Sequence, residues 1–259
     1  MERRTFFSAS IDQEDIEKKA RSPQEIDRWF ASVALAQIHE PWAFDLLKIL
    51  KSDNDESTRV AAVNALRAFP VEFFDASLDG SREDSDFVPG IWKIRPLPSY
   101  DSSRRDIFLA AIVDIVGTEG SVTGGRIQSR LTGATSISSG KKVGKSLLKS
   151  LLDELIRSNV LTRADSHLDS DDVELWIVHA PGKPEFVIRG RDGRDITEIP
   201  VNEAKAVLLD NRVTRRNPAN RDAGFRVLME QYDIKPNEFF LVGEAMEHQW
   251  QTLFLVDQK

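Results

Sequence analysis

Between Ser121 and Ser150 the chain has no aspartate or glutamate, yet Arg126, Arg130, Lys141, Lys142, Lys145 and Lys149 all fall inside that window. The full 259 residues carry a net charge of -7, so the basic character is local rather than general. One clean basic segment in an acidic chain is what a confined anion-binding face requires. The chemistry it offers is neutralisation of phosphates, with counterion release and a strong dependence on salt. A second cluster, Arg189, Arg191 and Arg194, flanks Asp192-Gly193, a favoured tight-turn pair, and offers further phosphate contacts. The plainer alternative for both clusters is a solvated face that happens to be basic.

Other chemistries find little support. There is no cysteine, which excludes disulfides, thiolate zinc sites and cysteine nucleophiles. Gly140-Lys141-Lys142-Val143-Gly144-Lys145-Ser146 has three residues between its glycines where a phosphate-binding loop needs four, and the residues before it are polar rather than a buried strand. His39, His167, His179 and His248 fall in no metal-ligand spacing. Glu185-Phe186-Val187 lacks the lysine that a nuclease core places two residues after its glutamate. No catalytic residue, metal or cofactor is therefore expected. The N-terminus lacks the apolar run of a signal peptide, and no stretch approaches about 18 apolar residues, so a cytoplasmic protein without a membrane span is expected.

The basic residues need elements to hold them. Phe108, Ala111, Ile112 and Ile115 are spaced as the apolar face of a helix ended by Gly117 and Gly120. Val122, Ile127 and Leu131 suit a short second helix, and Gly133 to Gly140 reads as a turn. A long third helix then buries Leu148, Leu151, Leu152 and Leu155. Lys142, Lys145 and Lys149 stack along one side of it, and Arg126 and Arg130 align on the second helix. Val160 to Arg163 and Val173 to His179 read as strands around an acidic turn that would repel a phosphate backbone.

Upstream, residues 1–23 are polar and end at Ser22-Pro23, a helix-start signal. Three helices follow, carrying Ile26, Phe30, Val33 and Leu35, then Trp42, Phe44, Leu46, Leu47 and Leu50, then Val60, Ala62, Val63 and Leu66. Residues 75–103 read as a linker with one short strand at Ile91–Arg95. The expected fold is mainly α with a small β component. Its units are a helical one over 1–74, the linker, a helix-and-strand domain with an extra hairpin over 104–200, and a helical extension over 201–259. In the extension, Arg212, Arg215, Arg216 and Arg221 make a basic loop, and Phe239 to Phe254 is rich in aromatics suited to a core or a subunit contact.

Leu35-Ala36-Gln37-Ile38, Pro41-Trp42-Ala43, Asp53, Asp55 and Arg59-Val60-Ala61-Ala62 resemble HEAT repeats over about 45 residues. That resemblance implies a protein-binding surface. The order helix, helix, long helix, strand, turn, strand is that of a winged helix. The segment from Ile112-Val113-Asp114-Ile115-Val116 through Gly140-Lys141-Lys142-Val143-Gly144-Lys145, with Val187-Ile188-Arg189-Gly190-Arg191 beyond, resembles the winged-helix region near the C-terminus of bacterial superfamily-one helicase-like proteins of restriction and defence. No helicase motor is present, so the resemblance implies nucleic-acid contact alone. The expected function is a non-catalytic binder of double-stranded DNA, with Arg126, Arg130, Lys141, Lys142, Lys145, Lys149, Arg189 and Arg191 as contacts. A protein partner would sit on the N-terminal unit, and a homodimer would pair two basic helices. The competing expectation is an adaptor whose two units both bind proteins.

Overall fold

In the computed structural model the described residues are 12–69, 90–139, 143–164, 171–183, 186, 188–191, 193–195, 198–211 and 219–235. Among them are nine α-helices and one three-stranded sheet, the mainly α fold with a small β component that the sequence predicts.

The polar N-terminus contains an unpredicted helix, α1 (Gln13–Ala20), capped by the Asp12 side chain and seated through Ile16 and Ala20. The three predicted helices follow as α2 (Glu25–Leu35), α3 (Pro41–Leu50) and α4 (Glu56–Ala68). Pro41 at the first position starts α3, and the Asp55 carboxylate caps α4 through the amide and hydroxyl of Thr58. Arg28 holds the loop before α4 with two hydrogen bonds to Asp53, at 2.7 and 3.0 Å.

The next helix, α5 (Arg105–Glu119), is apolar around most of its circumference, and such a helix must be buried. It touches α2 and α4 on one side, and α6 (Gly124–Ser139), α7 (Lys145–Arg157) and the sheet on the other. The sheet order is β1-β3-β2, with β1 (Val122–Thr123) and β2 (Thr162–Arg163) both antiparallel to β3 (Ile177–His179). Ile177 to His179 lies within the predicted second strand, whose first part is a 3-10 turn, Val173–Leu175.

Two expectations need correction. Gly133 to Ser139 is helix rather than turn, because Gly133 serves close packing: a β-carbon there would meet the Ile94 side chain at 3.1 Å. Residues 90–97 are no free linker, and no strand forms at Ile91–Arg95. They strap across α5 and α6, with Trp92 and Leu97 buried, and are pinned by Gly90 N–H to the Thr118 carbonyl and Leu97 N–H to that of Ala134. One apolar cluster consequently runs from Ile16 to Val178, across the linker expected between the two units. The rest of the expected linker, 75–89, lies outside the described residues. A second, separate cluster joins α8 (Val201–Asp210) to α9 (Ala219–Gln231) through Val207, Leu208, Leu228 and Tyr232.

At the centre of the first cluster Asp114 accepts the indole N–H groups of Trp29, at 2.8 Å, and Trp92, at 2.9 Å. Burial pushes its carboxyl above the usual range, against the pull of the two indoles and Arg95. A raised folded-state value means stability that is present below the ordinary carboxylate range and lost as pH rises through the folded value. The stability of wild type relative to Asp114→Asn, followed by urea melts, is therefore expected to fall as pH rises from about 4. A difference that is flat with pH would refute the assignment.

Candidate nucleic-acid interface

Lys145 opens α7, whose N-cap is Gly144 and receives no side-chain cap. Its ammonium is exposed, yet it is held 3.2 Å from Asp172 and 2.6 Å from Glu174. These contacts, Glu174 foremost, raise its pKa further above an already basic value. One turn on, Lys149 lies over the Trp176 ring at 5.4 Å, and Arg163 of β2 lies over the same ring at 4.4 Å. Two cations from different elements thus gather on one buried indole. Sequence reasoning misses Arg163 and Trp176. The β2–β3 register brings them together, and spacing alone carries no trace of it.

The second helix behaves otherwise. Arg126 is 3% exposed and turned inward, donating from Nε to Glu119 Oε2 at 2.9 Å and from Nη1 to Glu198 Oε2 at 2.8 Å. As a phosphate contact Arg126 is therefore corrected, since its charge is already met inside the fold. Arg130 donates from Nε to Glu119 Oε1 at 2.9 Å. Arg189 points at the same carboxylate from the other side, its Nη2 3.8 Å from Glu119 Oε2. Burial first, and then the neighbouring Arg194, lower the pKa of Arg189.

Arg191 is half-buried and donates from Nε to the Arg194 carbonyl at 2.9 Å. Arg194 is fully paired: two hydrogen bonds, 2.7 and 2.8 Å, join it to Glu203, itself approached by the Tyr232 hydroxyl. Burial, with Glu203 beside it, pushes the Tyr232 phenol well above its ordinary range. No described residue of the expected hairpin forms a strand. Lys141 and Lys142, the acidic turn at 165–170, Arg212, Arg215 and Arg216, and the aromatic stretch from Phe239 to Phe254 lie outside the described residues.

Among the described residues no cluster of three His, Asp or Glu side chains suits a metal ion, and no helix is long and apolar enough to cross a membrane. On the helical N-terminal unit, Ile49 of α3 and Val60 and Val63 of α4 are exposed. No protein family, curated protein or solved structure matches this chain.

Proposed function

We propose that the chain is a non-catalytic DNA-binding accessory or regulatory protein in which α5, β1, α6, α7, β2 and β3 make a winged helix. The observation that carries the reading is the front of α7: exposed Lys145, then Lys149, with Arg163 drawn to the same side by Trp176. An uncapped helix start with basic side chains suits backbone phosphates, as amide donors and cations there act together. A cytoplasmic setting, within a larger bacterial nucleic-acid-processing or defence system, fits this reading.

Anisotropy of a labelled random-sequence duplex, followed from low to physiological salt, tests it. Binding is expected to weaken steeply with salt. A Lys145→Gln/Lys149→Gln variant is expected to bind about tenfold or more weakly and to lower the salt slope by about 2. An absence of binding at low salt would refute the proposal.

A second reading, a protein-interaction adaptor, is favoured by two observations. Lys145 is already clamped by Asp172 and Glu174, and Ile49, Val60 and Val63 stand exposed on a unit resembling HEAT repeats. It predicts that Lys145 and Lys149 variants leave partner binding intact, while charges placed at Val60 and Val63 abolish it.

A further inference from the structure

The 3-10 turn Val173–Leu175 and the residues flanking it hold Lys145, Lys149 and Arg163 together. Asp172 caps the turn by accepting the Glu174 amide at 3.2 Å. Its two carboxylate oxygens each lie 3.2 Å from Lys145 Nζ, and Glu174 Oε2 lies 2.6 Å from the same nitrogen. Trp176, directly after the turn, presents the ring on which Lys149 and Arg163 gather. Three cations thus share the front of α7 with two carboxylates.

The acids are the fixed partners and the lysine is the movable one. The turn packs so closely on the start of α6 that Gly124 leaves no room for a β-carbon, and the Gly124 amide donates to the Trp176 carbonyl at 2.8 Å. A pinned turn with its own cap keeps both carboxylates near Lys145. Lys145 stands at the first position of α7 on a flexible four-carbon stem, and its side chain is 53% exposed. It can turn from the carboxylates to a phosphate with no backbone movement. Exposed ion pairs are weak, so a ligand of higher charge density displaces this one. While it persists, the two acids cancel the cation at the helix start and repel phosphate there.

We infer that Asp172 and Glu174 act as an autoinhibitory clamp, holding Lys145 in place of a backbone phosphate until a duplex displaces them. The inference rests on the duplex-binding reading of the α7 front. A free phosphate exchanges for the clamp alone, whereas a duplex also brings phosphates to Lys149 and Arg163 in the same event. The clamp therefore favours a continuous backbone over an isolated phosphate.

The test compares Glu174→Gln with wild type by duplex anisotropy at low salt, and repeats the comparison in a Lys145→Gln background. Glu174→Gln keeps the size of the side chain and leaves the Asp172 cap on the Glu174 amide intact. It is expected to bind about three- to tenfold more tightly, with a salt slope steeper by up to about 1. The gain is expected to vanish once Lys145 is glutamine. Equal affinity in wild type and Glu174→Gln would overturn the clamp while leaving duplex binding in place. A gain that persists undiminished without Lys145 would also sink it, since Glu174 would then act by general repulsion. A second measurement needs no DNA. Acetic anhydride modifies only the uncharged amine, which the neighbouring carboxylates disfavour at Lys145. Lys145 is expected to be acetylated about twofold or more faster in Glu174→Gln, read by mass spectrometry after brief treatment of the whole chain. An unchanged rate would overturn the clamp by itself. Faster acetylation without duplex binding by either protein would refute the α7 front as a DNA site, and the inhibitory role with it.

Discussion

Replacing Glu119 with alanine is expected to destabilise the protein by about 3–5 kcal/mol, the range for removing one partner of a buried ion pair. The carboxylate is 0% exposed and is the meeting point of Arg126, Arg130 and Arg189. Without it, three guanidinium groups remain packed together, with only Glu198 left to one of them. Trp92 N–H also loses its acceptor, so the 90–97 strap loosens where it crosses the end of α5. The loss is to be read from urea denaturation at constant m. Glu119→Gln keeps an acceptor for Trp92 but removes the charge, and should fall between wild type and Glu119→Ala. A loss below about 1 kcal/mol in the alanine variant would show that the arginines relax into solvent instead.

The second large effect comes from a single methyl group. A β-carbon at Gly124 would lie 1.9 Å from the Val173 carbonyl oxygen and 2.9 Å from its carbon, both of them backbone atoms. No rotamer change relieves such a contact. The start of α6 would have to withdraw from the 3-10 turn, although Gly124 N–H is bonded to the Trp176 carbonyl at 2.8 Å. The neighbouring Thr123–Ile177 pair of the sheet would move with it. Gly124→Ala is expected to cost about 3 kcal/mol, the upper part of the range for overpacking. Gly117, inside α5, has nothing within 4 Å of where its β-carbon would be. Gly117→Ala should therefore stabilise by about 0.5–1 kcal/mol, since alanine is the better helix former. Thermal melts of the two variants should move in opposite directions, and movement in the same direction would contradict this packing.

Elements with strong apolar periodicity are legible in the sequence: α2, α3 and α7 each bury the face that their spacing marks. On α4 the expected face is corrected, because Val60 and Val63 are exposed and the small Ala61, Ala62 and Ala65 face the core instead. Helix α1 is not legible, because only Ile16 and Ala20 anchor it among charged neighbours. Gly133 resembles a turn residue because composition does not distinguish a glycine that bends the chain from one that admits Ile94. The site is legible in part. The acid-free window that marks Arg126 begins at Ser121, and the acid that neutralises it, Glu119, lies two residues outside. The other, Glu198, is 72 residues away along the chain. Local charge counts cannot see a partner brought in by folding, so Arg126 and Lys145 read alike although one is buried and the other exposed.

The shared carboxylate also constrains how this protein can change over generations. Arg126 joins Glu119 to Glu198, so exchanging any one of these three strands charge carried by the others. Buried ionic groups are often replaced without penalty when apolar residues take over the whole set, and rarely when one member leaves alone. Descendants of this sequence should therefore keep positions 119, 126 and 198 together or lose them together, so that the three are inherited as a single character.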